Sequence, residues 1–147
     1  MKILIDADGC PVVDIAVSVA VKYNIDCIIC CDTSHHFDIE GAETLTVSKG
    51  SDSTDFALVG MLSKGDIAVT QDYGLAAMCL SMGGYAINQD GMVYDDCNIS
   101  ALLNFRYISK KIRDSGGRLK GKPKRRGNQN LEFKAALTAL VESVLDK

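Results

Sequence analysis

Residues 2–8, Lys-Ile-Leu-Ile-Asp-Ala-Asp, constrain this chain more than any other stretch: an apolar run of strand character that stops on two aspartates, Asp6 and Asp8. Gly9, Cys10 and Pro11 follow, with Pro11 placed where a helix begins. A strand that delivers acids to its carboxyl end just before a helix predicts a parallel α/β sheet with a ligand edge. The same device recurs. Asp66-Ile-Ala-Val-Thr70 is a second short strand, it ends at Gln71 and Asp72, and a helix follows from Gly74. In one parallel sheet, Asp6 and Asp72 reach the same edge.

Between these strands, 12–23 reads as a helix, Asp26–Cys31 as a buried strand and Thr44–Val47 as a third strand. A helix over Phe56–Leu62 is opened by Asp52 and Asp55, whose spacing of three places both on one side of a first turn. Tyr85–Ile87 supplies a fifth strand and Met92–Tyr94 a small edge strand. Asp95 and Asp96 read as solvated loop acids or as caps of a helix running from about Ile99 to Ser115. A last helix, 130–145, is expected to bury Leu131, Phe133, Leu137, Leu140, Val141 and Leu145. With 147 residues, these elements predict a single three-layer α/β domain, Rossmann-like, with a mostly parallel sheet of about five strands flanked by helices.

No apolar run approaches the ~20 residues of a membrane span and no signal peptide is read, so a cytoplasmic, non-membrane protein is expected. Cys10, Cys27, Cys30, Cys31, Cys79 and Cys97 then read as reduced, buried thiols. Cys27 and Cys30 spell C-x-x-C, but in a strand residues three apart face opposite sides. His35 and His36 follow at a spacing that fits no usual Cys/His template and read as surface-loop histidines.

The net charge of −3 conceals a strong asymmetry. Residues 106–126 hold ten Lys/Arg against one acid, Asp114, a local charge of +9, while six basic and eighteen acidic residues leave −12 on the remainder. An acidic body with one basic arm points to an anionic polymer as partner. Within that arm, the loop at 116–129 carries Lys122, Lys124, Arg125 and Arg126, interrupted by Gly121, Pro123 and Gly127, and these four residues are the expected phosphate contacts.

Four segments carry a family resemblance: Asp-Ala-Asp-Gly-Cys-Pro-Val at 6–12, Gly-Ser-Asp-Ser-Thr-Asp-Phe-Ala at 50–57, Gly-Asp-Ile-Ala-Val-Thr-Gln-Asp-Tyr-Gly-Leu-Ala-Ala at 65–77 and Gly-Lys-Pro-Lys-Arg-Arg at 121–126. Together they resemble the bacterial YaiI/YqxD family, which is similar at fold level to PIN-like nucleases. That resemblance implies Mg²⁺ or Mn²⁺ held by acids at strand ends: Asp6, Asp55 and Asp72 as ligands, with Asp8 and Asp52 as further catalytic acids. Gly9 stands where alanine is the commoner family residue and leaves the acids intact. The implied activity is metal-dependent phosphodiester hydrolysis, of RNA, in which clustered carboxylates hold an ion that activates water and offsets charge on the scissile phosphate. Thr70 is read either as a partner of that water or phosphate, or as a hydroxyl that ties down the turn.

Two other readings compete. The opening strand also resembles that of haloacid-dehalogenase-like phosphatases, where Asp6 is nucleophile and Asp8 general acid, although Cys10 replaces the expected Thr and no downstream lysine motif follows. A non-catalytic nucleic-acid-binding protein needs only the basic arm.

Overall fold

The computed structural model describes residues 1–50, 53–117 and 124–147. Five strands, β1 (Lys2–Asp6), β2 (Asp26–Asp32), β3 (Glu43–Val47), β4 (Ile67–Val69) and β5 (Tyr85–Ile87), form one sheet in the order β3-β2-β1-β4-β5. All four pairings are parallel. Five helices flank it: α1 (Val13–Lys22), α2 (Ser53–Met61), α3 (Tyr73–Ser81), α4 (Asp96–Asp114) and α5 (Gln129–Leu145). Among the described residues no helix is long and apolar enough to cross a membrane.

The period-2 alternation of the strands divides the interior into two layers. Ile3 and Ile5 of β1 pack with Val13, Val17 and Ala20 of α1 and with Phe133, Leu137 and Val141 of α5. Leu4, on the opposite face, packs with Leu58 of α2, Leu75 and Cys79 of α3, and Ile99 of α4. Ile3, Leu4 and Ile5 are each fully buried, and burial of such a side chain stabilises by about 1.5–3 kcal/mol. Cys27 and Cys30 fall in these two different layers, as strand parity requires.

Because α1 covers one face after β1 and α3 the other after β4, the chain leaves these adjacent strands in opposite directions. Their carboxyl ends are therefore the switch point of an open α/β sheet.

Several expectations are corrected. Leu131 is 71% exposed and Leu145 is 50% exposed, because α5 turns only its 133-137-140-141 stripe toward α1. Pro11 stands before the helix, which begins at Val13. Met92–Tyr94 forms no strand but a single antiparallel bridge between Val93 and Ile87. α4 begins at Asp96, and Asp95 closes a reciprocal capping box with Asn98. All six cysteines are free; Cys97 is exposed and Cys10 half-buried, while the other four are buried.

Candidate functional site

Asp6 has the strand parity of Leu4, and Thr70 that of Ala68, so both project toward the α2/α3 layer at the switch point. The Thr70 hydroxyl donates to Oδ2 of Asp6 at 2.8 Å and accepts the backbone N–H of Asp72 at 3.0 Å. Thr70 thus ties down the turn and holds a site acid at once. Asp72 caps α3, its Oδ1 accepting from the N–H groups of Gly74 at 2.8 Å and Leu75 at 3.1 Å. The same oxygen lies 3.8 Å from Nη1 of Arg106, which reaches in from α4. A Cβ on residue 74 would stand 3.2 Å from that oxygen and 3.8 Å from Nη1, so glycine leaves the approach open.

Burial pushes the Asp6 carboxyl above the ordinary carboxylate range; the Thr70 hydrogen bond opposes this, and the charges of Asp8 and Asp72 add to it. Among the described residues no cationic side chain forms an ion pair with Asp6. At the opposite end of the same strand pair, Asp66 is buried, and Lys2 Nζ sits 2.7 Å away. Burial raises the Asp66 carboxyl, and hydrogen bonds from Lys2 and Ser63 outweigh it and hold it below its usual range. Of the two acids of the β1/β4 pair, buried Asp66 has a cation beside it, whereas half-buried Asp6 has the Thr70 hydroxyl and, among the described residues, no ion-paired cation.

A second group sits between the ends of β1 and β2. Asp8 Oδ1 accepts the backbone N–H of Asp32 at 3.1 Å, and Oδ2 accepts the Thr54 hydroxyl of α2 at 3.0 Å. His35 Nδ1 lies 2.9 Å from Asp8 Oδ1 and 3.2 Å from Asp32 Oδ1. Donor atoms of Asp8, Asp32 and His35 all fall within 4.8 Å of one another, a set able to hold a metal ion. Hydrogen bonds from Ser34 hold Asp32 below the usual carboxylate range, with His35 adding to the effect. In the sequence Asp32 opens the polar stretch after an apolar strand and His35 fits no metal-ligand template, so neither stands out as a ligand. The signal available was Asp32 itself, an acid ending an apolar strand as Asp6 does.

Asp55 occupies the first turn of α2. The buried Cys79 thiol is pushed up to about 11 by burial and by the nearby charges of Asp55 and Asp6. Asp52 and Lys122 lie outside the described residues. Lys124 and Arg126 are exposed. Arg125 is engaged instead, with Nη1 2.6 Å from Asp90 Oδ1 and 3.1 Å from the Gln89 carbonyl, and Nη2 2.6 Å from Asn130 Oδ1. The side-chain nitrogen of Gln71, between Thr70 and Asp72 in sequence, is buried and has no hydrogen-bond partner among the described residues.

The family model described as "Uncharacterized BCR, YaiI/YqxD family" matches residues 4–143. The chain belongs to the YaiI/YqxD family. It is 44% identical over 146 residues to a UPF0178 protein of Exiguobacterium sibiricum, covering 99% of this chain and 100% of the relative. It is 46% identical over 143 residues to one of Ruminiclostridium cellulolyticum, covering 97% and 93%. A third, from Clostridium acetobutylicum, is 42% identical over 143 residues, covering 96% and 97%. No solved structure matches. In this YaiI/YqxD-family chain the family match spans both groups of acids, from β1 to α3.

Proposed function

We propose that this chain is a PIN-like, divalent-metal-dependent phosphodiesterase acting on nucleic acid, with RNA as the favoured substrate. The observation that carries the proposal is the state of Asp6: desolvated, flanked by the charges of Asp8 and Asp72, and without an ion-paired cation among the described residues. Such an arrangement costs stability unless a cation occupies it. The donor set fits Mg²⁺ or Mn²⁺, since the carboxylates of Asp6, Asp55 and Asp72 are hard oxygen ligands, with Asp8 and Asp52 as further acids. Among the described residues the donors that fall within 4.8 Å of one another are those of Asp8, Asp32 and His35, a group that does not include Asp6, Asp55 or Asp72, and His35 supplies it a nitrogen donor.

When bound, such an ion supplies positive charge that activates water and offsets charge on the scissile phosphate. The protein's own groups have separate tasks. Thr70 fixes the rotamer of Asp6 from the residue after β4, and the α3 amides fix that of Asp72. The phosphatase reading is less favoured because both Asp8 oxygens accept hydrogen bonds, which does not suit a proton donor.

The test is Mn²⁺-dependent cleavage of single-stranded RNA by purified protein, together with Asp6→Asn. Cleavage by the wild type and its loss in the variant are expected. Equal rates in both, with contaminating nucleases excluded, remove Asp6 from the mechanism.

A further inference from the structure

α4 meets the body along one stripe. Ile99 and Ser109 are buried and Leu102 packs into the α2/α3 layer, at helical spacing i, i+3 and i+10. Arg106, at i+7 on this stripe, is thereby aimed at Asp72, yet its side chain remains 61% exposed. Lys110 and Arg113 follow at i+4 and i+7 from Arg106, both exposed. The three cations form a line that begins at the acidic edge and runs away from it, with rises of about 6 Å and about 10 Å along the helix axis. Beside the line stands Tyr107, 58% exposed, with Lys111 Nζ 5.0 Å from its ring centroid. An exposed aromatic ring within a row of cations on an otherwise acidic protein is the chemistry that tracks a single strand: charge for the phosphates and a flat face for a base.

We infer that α4 is a binding track for single-stranded nucleic acid, in which Arg106, Lys110 and Arg113 follow the backbone outward from the acidic edge and Tyr107 stacks on a base. The inference rests on the proposed nuclease reading for its choice of substrate. It goes beyond that reading in assigning strand contact to α4 rather than to the loop at 116–129. Arg106 has a double position. Its link to Asp72 is too long for a hydrogen bond and exposed, so a phosphate arriving at the edge can take the guanidinium without breaking a buried contact. The track also brings a polyanion to an acidic site, because cations flank the acids where the strand enters.

The experiment measures fluorescence anisotropy of an end-labelled, mixed-sequence, single-stranded RNA of about 12 nucleotides in EDTA. The proteins are wild type, Tyr107→Ala, Tyr107→Phe, and Lys110→Gln combined with Arg113→Gln. Light scattering reports oligomeric state, and the Mn²⁺-induced rise in Tm reports the metal site. We expect Tyr107→Ala to weaken binding about tenfold and Tyr107→Phe to restore it, since stacking needs the ring and not the hydroxyl. The double variant should bind about tenfold more weakly and flatten the salt dependence by roughly two released counterions. Both should keep the wild-type Mn²⁺ response, which shows that the fold survives. Unchanged RNA affinity in both variants overturns the inference, as does failure of the wild type to bind. So does a change of oligomeric state with RNA affinity intact, which would make α4 an interface between copies. Binding that depends on α4 without any Mn²⁺-dependent cleavage supports the track and sinks the nuclease reading.

Discussion

Asp6 ends β1 and Thr70 directly follows β4, its parallel neighbour, and the 2.8 Å hydrogen bond between them joins the two halves of the sheet where its connections diverge. The bond lowers a carboxyl that burial raises. Thr70→Val keeps the shape and deletes the donor. It should drive the Asp6 carboxyl further up and weaken Mn²⁺ binding at neutral pH by about 10–100-fold, the usual range when a ligand loses its orienting partner. Isothermal titration of Thr70→Val against Thr70→Ser, which retains the hydroxyl, measures this, and equal affinities would remove Thr70 from the site.

Asp6→Asn should stabilise the metal-free protein at pH 7, by about 1 kcal/mol, a common gain from relieving an unfavourable charge. The sign follows from linkage. A carboxyl raised on folding binds more protons in the native than in the unfolded state, so ionising it destabilises as pH rises from the ordinary value of 3.8 to the raised one. Below that window both forms are protonated, and the variant's advantage should vanish. Urea denaturation at pH 7 and near pH 3 decides it; a variant less stable at pH 7 contradicts the electrostatic account.

His35→Ala distinguishes a metal ligand from a salt-bridge partner. With donor atoms of Asp8, Asp32 and His35 within 4.8 Å, loss of the imidazole should reduce Mn²⁺ affinity about tenfold or more while changing Mg²⁺ affinity less, because nitrogen is a poor Mg²⁺ ligand. Parallel titrations with the two ions provide the comparison. Identical losses, or none, would leave His35 as a partner of two carboxylates.

Asp66→Asn tests the compensated acid at the far end of β1 and β4. Removing it leaves Lys2 without its 2.7 Å partner, and a loss of about 2 kcal/mol is expected, discounted from a fully buried pair because the Lys2 side chain is 28% exposed. Its lowered carboxyl contributes stability above the ordinary carboxylate range and loses it as pH falls through the folded value, the reverse of Asp6. Mn²⁺ binding should be unaffected. A matching loss of metal affinity would mean that the two ends of the strands are coupled.

Arg125→Ala should cost about 1 kcal/mol through loss of its contacts to Asp90, Gln89 and Asn130, a modest value because the Arg125 and Asp90 side chains are 23% and 40% exposed. Lys124→Ala, at an exposed position, should leave stability within about 0.5 kcal/mol. Thermal unfolding separates the two; equal effects would argue that Arg125 is as solvated as its neighbour.

Five strands, their helices and the acids at the ends of β1 and β4 were legible in the sequence, because short continuous apolar runs cut off by Asp are local signals. Asp6, Asp8 and Asp72 could be named from such runs alone. Their environments could not. Asp6 and Asp66 read alike as acids bounding apolar strands; only the sheet places Lys2 against one and Thr70, Asp8 and Asp72 around the other. Asp32 and His35 join Asp8 because β2 lies beside β1 in a register that sets Cys30 opposite Asp6, a pairing between residues far apart in the chain. Arg125 turns inward and Arg106 toward the acids for the same reason. Composition counts them as equal members of one basic arm, while the packing of α4 on α3 and the contact with Asp90 assign them different partners. Local pattern is written along the chain, whereas desolvation and charge compensation depend on which distant groups the folded sheet brings within a few ångströms.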